Sequence, residues 1–344
     1  MKKQLLIAAV AATMSVAATA DISITGDAYV SFAAQAIGSV NFDTNDNNDN
    51  QRVRLKVVGS AGDTKVTAVI RSGSQTRVNE LPVETDNDRG LHMDSLYITT
   101  KAGPVSIKVG DYWETIGLGA RSLGRGKANA FSVSTKVGGW KLGMSTADGS
   151  NSDTRDNTTD VSVSGKIGPI TVGLVHNPKD FTDLTLKGTF NDILVEVERW
   201  NDTSDTDNDI TLIHVGGKVN NFKWDVAQIK NDATYTSSAN NKLAPLGSML
   251  IGTAARGGTA TAIYNVGDFT KILGVAVSTK LADNTVKAIF TKNTNASSRT
   301  TGTELIVSRS LSGATLTVNI ARVSGSDVEI LNATSTGLRL DVKF

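Results

Sequence analysis

The sequence feature that most constrains the fold is a strict alternation of apolar and polar residues that recurs along the chain after residue 20. In the first such segment, Ile22, Ile24 and Val30 share one parity, and Ser23 and Asp27 share the other. A period of two is the signature of β-strands with one apolar face. The mean hydropathy of −0.11 does not oppose burial in lipid, because a membrane-spanning barrel places only alternate residues of each strand against lipid.

The connections between these segments alternate in length. Short turn signals fall at residues 60–63, 102–104, 138–139, 168–169, 191–192, 220–221, 283–284 and 312–313. Longer polar stretches separate them, at residues 37–50, 75–90, 110–127, 146–159, 177–182, 201–208, 231–271, 293–301 and 324–334. Outer-membrane barrels show this rhythm, with short turns at one rim and longer loops at the other. The sequence therefore predicts an all-β fold, a transmembrane antiparallel up-and-down β-barrel formed by residues 21–344.

The turn signals also predict the number of strands. Eight short turns define eight hairpins, and the two terminal strands raise the count to 18. Residues 231–271 are open to two interpretations, an insertion in a long loop or a further hairpin. The competing class is a secreted soluble β protein, such as an adhesin or a surface-layer subunit.

Residues 1–20 have the three parts of a secretory signal peptide. Lys2 and Lys3 begin it, an apolar run follows, and residues 18–20 read Ala-Thr-Ala, as at a cleavage site. The apolar run is shorter than the ~20 residues that a membrane-spanning helix needs. Removing the two lysines from the 35 basic residues leaves 33 against 34 acidic ones, a net charge of −1. This balance indicates no nucleic-acid partner, and the absence of cysteine fits a fold closed by backbone hydrogen bonds.

A long charged loop lies between two alternating segments, at residues 110–129. Its ionisable residues are Asp111, Glu114, Arg121, Arg125 and Lys127. The loop is too long for a tight hairpin and contains several glycines, which let a backbone bend within a confined space. We predict that this third external loop folds into the barrel and forms the constriction of a pore.

A second group of charged residues shares the polar parity of its strands. These residues are Arg52, Arg54, Lys56, Arg71, Glu196 and Glu198. A lipid-facing Arg or Lys costs about 2–4 kcal/mol near the middle of a bilayer, so these side chains are expected to face the lumen. We predict that they form the pore wall.

The last strand gives the most specific signal. Residues 337–344, GLRLDVKF, are apolar at every second position and end on Phe344. In lipid no strand edge can stay unpaired, so this strand must close against the first one. An amphipathic terminal strand that ends on Phe is similar to the signal by which Gram-negative outer-membrane barrels are recognised for assembly. The resemblance implies that the outer-membrane assembly machinery is a partner through Phe344.

The whole mature chain resembles the Gram-negative outer-membrane general (diffusion) porin family. The signal peptide, the long third loop, the C-terminal strand and the segment VSIKVGDYWETIG carry this resemblance. It implies an outer-membrane location, a homotrimer, usually 16 strands, and a basic wall that faces an acidic third loop. Asp111 and Glu114 match the acidic loop, whereas Arg121, Arg125 and Lys127 depart from that pattern.

These signals predict a water-filled channel for passive diffusion of small hydrophilic solutes and ions, with outer-membrane lipid around it. The loop and the wall together carry more positive than negative charge, so we expect a weak preference for anions. The alternative is a substrate-specific channel for a sugar or for an anion such as phosphate. Tyr112 and Trp113 are the adjacent aromatic pair that a sugar path would use.

No enzyme activity, metal site or cofactor is predicted. His92, His176 and His214 are far apart in the sequence, and the acidic stretches 43–50 and 205–209 lack the closing Glu of a calcium loop. Aromatic residues near the strand ends predict girdles at the two membrane interfaces. They are Trp140, Phe190, Phe222 and Trp224 beside short turns, and Phe32 and Trp200 near the opposite ends.

Overall fold

The structure is a computed structural model, which describes residues 21–37, 40–43, 51–72, 91–120, 124–148, 158–203, 209–235, 244–247, 269–294, 299–325 and 333–344. Within these ranges the backbone forms one antiparallel sheet of 19 strands. They are β1 (Asp21–Ile37), β2 (Val40–Asp43), β3 (Gln51–Ala61), β4 (Thr64–Ser72), β5 (Leu91–Ala102), β6 (Val105–Thr115), β7 (Gly124–Val137), β8 (Trp140–Asp148), β9 (Thr158–Ile167), β10 (Ile170–Asn177), β11 (Phe181–Phe190), β12 (Ile193–Asp202), β13 (Ile210–Val219), β14 (Phe222–Tyr235), β15 (Phe269–Leu281), β16 (Asn284–Thr294), β17 (Arg299–Leu311), β18 (Ala314–Gly325) and β19 (Ala333–Lys343). The predicted signal peptide lies outside the described residues and stays a prediction.

The sheet closes on itself because its first strand pairs on both sides. β1 pairs with β3 and with β19, and Gly26 and Phe344 exchange two backbone hydrogen bonds of 2.6 and 3.0 Å. The short strand β2, of 4 residues, only prolongs the ladder on β1. The barrel itself therefore has 18 strands. The count made from the turn signals is confirmed, and the 16 strands implied by the resemblance are not seen.

The strands show an apolar face to the outside and a different face to the lumen, as the alternation predicts. On β1, Ile24 is 64% exposed and Phe32 is 56% exposed, whereas Tyr29 on the opposite face is buried. Phe190 and Phe222 lie exposed beside two short turns. Many large apolar side chains are exposed on this outer surface, which is unfavourable in water and matches the apolar outer band expected of a membrane barrel.

Trp200 departs from the predicted girdle. It lies on the lumen face of β12, is 7% exposed, and stacks on Phe181 with 4.0 Å between the ring centroids. It shares the parity of Glu198, which also faces inward. An aromatic residue near a strand end can face either side, and parity decides which.

The eight short turns lie where the sequence predicted them, and the strand ends at the other rim are those that the longer connections join. Of the residues between β14 and β15, 244–247 are described, and Ala244–Leu246 form one turn of 3-10 helix. β14 pairs directly with β15, so no further hairpin stands between them in the barrel wall, and residues 248–264 lie outside the described ones. In the described ranges, no helix is both long enough and apolar enough to cross a membrane.

Candidate functional site

The β6–β7 hairpin bends at two register shifts. One lies between Gly110 and Tyr112, and the other lies in the β7–β8 pairing after Ala128. Gly110 has φ 122° and Asn129 has φ 45°. The backbone N–H of Asn129 donates to Asp111 Oδ1 at 2.7 Å. Bulges of this kind bend a strand, so they mark the place where the hairpin turns inward.

The predicted loop 110–129 is shorter than expected, because β6 and β7 extend into it as far as Thr115 and Gly124. Four of the predicted constriction residues lie on these strands, namely Asp111, Glu114, Arg125 and Lys127. Arg121 lies outside the described residues. For Arg125 only the backbone is described, and it pairs with Glu114 across the hairpin.

Lys127 fastens the hairpin to the barrel wall. It is 1% exposed, and its ammonium group donates to Ser145 Oγ at 3.0 Å and to the carboxylate of Asp160. Glu114 lies 3.3 Å from the same ammonium group, and Asn177 donates to the other oxygen of Asp160 at 2.8 Å. A buried charge is stable only with such partners. The charge of Lys127 therefore holds the hairpin and does not face a solute.

The tip of the hairpin reaches across the lumen to β12. The backbone N–H groups of Leu118 and Ala120 donate to Glu198 Oε2 at 2.7 and 2.9 Å. Gly117, with φ 72°, lies so close that a Cβ there would come within 2.1 Å of Glu198 Oε1. Glu198, predicted as a pore-wall charge, is 1% exposed and serves as the anchor of the tip.

An apolar core fills one side of the lumen, which we call the packed side. On the lumen faces of β11–β18 it consists of Phe181, Trp200, Ile210, Leu212, Ala227, Ile229, Ile272, Ala276, Ile289, Ile306 and Ala321. Ile116 and Ala120 of the hairpin tip and Leu246 of the β14–β15 connection pack against these residues. Close-packed apolar side chains leave no room for a hydrated solute, so a water-filled path runs elsewhere.

A buried charged network lies on the same strands as the packed side. His214 places Nδ1 2.6 Å from Glu196 and Nε2 3.1 Å from Asp225. Lys187 lies 2.6 Å from Glu196, and Lys223 lies 3.3 Å from Asp225. Glu196, predicted as a pore-wall charge, is therefore paired on two sides. It contributes little free charge to the lumen.

The opposite side of the lumen is basic. Asp27 on β1 bonds two guanidinium groups of β3, that of Arg52 at 2.7 Å and that of Arg54 at 2.6 Å. One carboxylate balances only one of these cations, so a positive charge is left over. Tyr29 lies between Arg52 and Arg339, whose guanidinium carbons are 4.9 and 4.0 Å from its ring centroid. Asp341 pairs with Arg339.

A cavity of about 420 Å³ opens on this basic side. Its charged and aromatic lining consists of Arg54, Lys56, Lys343, Asp27, Asp94, Tyr97 and Trp113. Within the described part of the chain, neither Lys56 nor Lys343 forms an ion pair. We call Arg52, Arg54, Lys56 and Lys343 the basic wall, and its net charge with Asp27 is positive.

Two further cations lie near this cavity. Arg71, predicted for the pore wall, is 5% exposed and its Nη1 lies 3.9 Å from Asp94. Lys108 places its ammonium group 3.4 Å from the ring centroid of Tyr112 and 4.2 Å from that of Tyr97. Both cations are engaged, one by a carboxylate and the other by two aromatic faces.

Three charged residues of the cavity lining were missed in the sequence, namely Asp27, Asp94 and Lys343. Asp27 and Lys343 share the lumen parity of β1 and β19 and face each other in register, so parity alone could have placed them. Asp94 gave no such signal, because a register shift on β5 changes the parity at that residue.

In the described part of the chain, no group of three or more His, Cys, Asp or Glu is arranged to hold a metal ion. Most of the acidic stretches 43–50 and 205–209 lies outside those residues. The absence of a predicted metal site therefore stays an expectation for those loops.

Solved structures match this chain in fold, whereas no family model and no curated protein matches its sequence. Acinetobacter baumannii OccAB3 is 12% identical, with 94% of this chain and 99% of that chain covered and a TM-score of 0.61. Pseudomonas aeruginosa OccK2 (OpdF) in complex with glucuronate is 10% identical, covers 94% and 98%, and has a TM-score of 0.61. Pseudomonas aeruginosa OpdK with vanillate is 11% identical, covers 94% and 98%, and has a TM-score of 0.60.

These similar structures are outer-membrane porins of Gram-negative bacteria. At this level of identity the likeness concerns the fold alone. The chain therefore has the fold of Gram-negative outer-membrane porins, a closed 18-strand antiparallel barrel. Its lumen is divided into a packed side and a basic side.

Proposed function

We propose that the protein is an outer-membrane channel through which small anionic solutes diffuse passively. The observation that carries this proposal is the excess of cations around the cavity on the basic side. Three cations of the basic wall, Arg54, Lys56 and Lys343, line the cavity. Of the two carboxylates there, Asp27 is shared between Arg52 and Arg54, and Asp94 lies beside Arg71. In a narrow passage with a low-dielectric wall, such charges act on a solute more strongly than in bulk water.

The geometry of the lumen favours a substrate-specific channel over a general diffusion pore. The packed side and the anchored hairpin tip confine the path to one side of the barrel. Two of the structurally similar barrels were crystallised with glucuronate and with vanillate. Both compounds are carboxylates, which is the charge type that the basic wall suits.

The outer membrane is the proposed location, and lipid is the proposed partner of the apolar belt. The homotrimer and the recognition of Phe344 by the assembly machinery are further proposals, supported by the resemblance in sequence. Fractionation of the cell envelope, combined with heat-modifiable migration on unboiled gels, tests the location and the barrel state. A protein recovered from the periplasm or the medium contradicts the proposal.

Ion selectivity in planar bilayers tests the proposed function directly. In a gradient of potassium chloride, the reversal potential of the purified protein should show a preference for chloride. Replacing both Lys56 and Lys343 with Gln should shift that potential toward cations. The control is Lys166→Gln at the exposed turn end of β9, where salt screens a charge within about 10 Å.

The current at rising solute concentration separates the two kinds of channel. A substrate-specific channel shows saturable block of its chloride current by small carboxylates, whereas a general pore shows a linear response. A wild-type protein that prefers cations contradicts the anionic assignment.

A further inference from the structure

A β-bulge on β5 turns Asp94 toward the lumen. Val69 pairs with Ser95 and Ile70 pairs with Met93, so Asp94 has no partner in the register of β4. Asp94 and Ser95 are 7% and 5% exposed, and both line the cavity on the basic side. A β-bulge changes the direction of a side chain and interrupts the regular hydrogen-bond ladder between strands. Here it brings the carboxylate of Asp94 to the cavity wall.

No described residue donates a hydrogen bond to Asp94, and its Oδ1 is buried. Its ion-pair partner is Arg71, whose Nη1 lies 3.9 Å from Oδ1, beyond hydrogen-bonding distance. Nearly all buried polar groups in proteins have hydrogen-bond partners, and a buried carboxylate without donors is unfavourable. Asp94 lines the cavity, so a molecule there is placed to donate to this carboxylate.

The cavity combines this acceptor with two other kinds of surface. Lys56 and Lys343 offer cations for a carboxylate. Trp113 and Tyr97 also line the cavity and offer aromatic surface for a carbon skeleton. A solute that satisfies all three surfaces carries an anionic group at one end and a hydrogen-bond donor at a distance from it.

We propose that Asp94 is a specificity-determining residue, which accepts a hydrogen bond from a hydroxyl group of the solute and makes the channel prefer small polyhydroxylated carboxylates, such as sugar acids. This inference rests on the proposed function, because it assigns the substrate class of the same channel.

The neighbour of Asp94 decides between a hydroxyl and an ammonium donor. With Arg71 at 3.9 Å, the pair has no net charge. An ammonium group placed there is attracted by the carboxylate of Asp94 but repelled by Arg71, so it gains no net electrostatic attraction. A neutral hydroxyl group takes the free acceptor without that repulsion, so the hydroxylated acid is the better fit.

Block of the chloride current by three six-carbon acids tests this assignment on the purified wild-type protein. The probes are gluconate, hexanoate and 6-aminohexanoate, added at rising concentration to planar bilayers. Gluconate should block at a concentration about tenfold lower than hexanoate, which corresponds to a hydrogen bond to a charged group. Steric exclusion alone gives the reverse order, because gluconate is the larger of the two. Stronger block by 6-aminohexanoate than by gluconate overturns the hydroxyl assignment.

Substitution of the pair isolates the hydrogen bond from the charge. In the double variant Arg71→Met with Asp94→Leu, both charges leave together, and the preference for gluconate over hexanoate should disappear while the preference for chloride remains. The single variant Asp94→Asn keeps a weaker neutral acceptor, and its preference should fall about threefold. The control is Asp63→Asn in the exposed β3–β4 turn, which should leave the preference unchanged.

Each outcome decides one of the two proposals. An unchanged gluconate preference in a double variant that folds overturns the role of Asp94. If the double variant does not fold, an unchanged preference for gluconate over hexanoate in the Asp94→Asn variant also overturns the role of Asp94. A wild-type channel that prefers chloride but is blocked equally by gluconate and hexanoate overturns this inference alone. A wild-type channel that prefers cations and is blocked by no carboxylate overturns the proposed function itself.

Discussion

The packed side and the basic side of the lumen are built from the same kind of strand but use it in opposite ways. On β13, the inward residues Ile210 and Leu212 are fully buried against other apolar groups. On β3, the inward side chain of Arg54 is 45% exposed. Both sets have lumen parity, so parity fixes only which residues avoid lipid. Whether an inward position is polar depends on what the lumen holds at that place.

The comparison also shows where charge remains available to a solute. On the packed side, Glu198 is used by the hairpin tip and Glu196 by His214 and Lys187. On the basic side, Lys56 and Lys343 line the cavity with no ion-pair partner among the described residues. A count of charges along the sequence weights all of these residues equally. Selectivity depends only on the charges that the fold leaves uncompensated.

The largest effect is expected from the centre of the packed side. Phe181→Ala removes a fully buried ring stacked on Trp200 and should lower the free energy of unfolding by about 3–5 kcal/mol. The temperature at which the folded band disappears from unboiled gels should fall accordingly. The control is Phe222→Ala on the outer surface, where the ring is 52% exposed and its removal leaves no internal cavity. Equal losses of unfolding free energy in the two variants would contradict the division of the lumen into a packed side and a basic side.

The next effect concerns the anchored tip of the hairpin. Gly117→Ala places a Cβ against Glu198 and should lower the free energy of unfolding by about 1–3 kcal/mol, with larger fluctuations of the single-channel current. Gly62→Ala is the matched control, because Gly62 also has positive φ, 57°, but nothing lies within 4 Å of its added Cβ. Similar behaviour of the two variants shows that the tip is not held by this contact.

On the basic side we expect a smaller effect, which concerns ion selectivity and leaves the stability of the packed side unchanged. Asp27→Asn releases the guanidinium groups of Arg52 and Arg54 from their shared carboxylate. The preference for anions should increase, which is the opposite of the shift expected when Lys56 and Lys343 are neutralised. Reversal potentials in a salt gradient measure this shift, with Asp63→Asn as the matched control. A shift toward cations rules out the basic wall as the source of selectivity.

The smallest effect is expected from the double change Arg121→Ser and Arg125→Ser. Removing two positive charges of the β6–β7 connection should move the reversal potential toward cations, but by less than the change at Lys56 and Lys343. The reason is that Lys56 and Lys343 line the cavity, whereas the other charged residues of this hairpin are engaged in its own contacts. A larger shift than that of the wall variant assigns the selectivity to the hairpin instead.

The fold could be predicted from the sequence because it depends on features that are local in the chain. Alternation sets the faces of each strand, and turns such as 138–139 and 220–221 set the hairpins. The inward course of the third loop was predictable for the same reason, from its length between two strands. Its extent was not, because β6 and β7 continue past the bulge at Gly110.

The candidate site could be predicted only in part, because its contacts join residues far apart in sequence. Parity correctly brings Arg52 and Arg54 to the lumen, but it does not show that Asp27 holds both. Glu198 has the same parity as a free wall charge, and only the folded hairpin shows that Leu118 and Ala120 bind it. Charges on the lumen face are thus visible in the sequence, whereas their partners are not.

The pairing of β1 with β19 sets a condition on how the barrel is made. Gly26 and Phe344 meet by two backbone hydrogen bonds, and a Cβ on Gly26 would come within 2.6 Å of the Phe344 ring. This contact joins nearly the whole length of the polypeptide into one ring, which is the slowest kind of contact to form. Until it forms, a nascent sheet has two unpaired edges that cannot be left in lipid. Synthesis, delivery and insertion must therefore keep the chain open until its last strand is present. A bulky side chain at position 26, whose Cβ would also lie 2.8 Å from the backbone oxygen of Arg54, should weaken this closure.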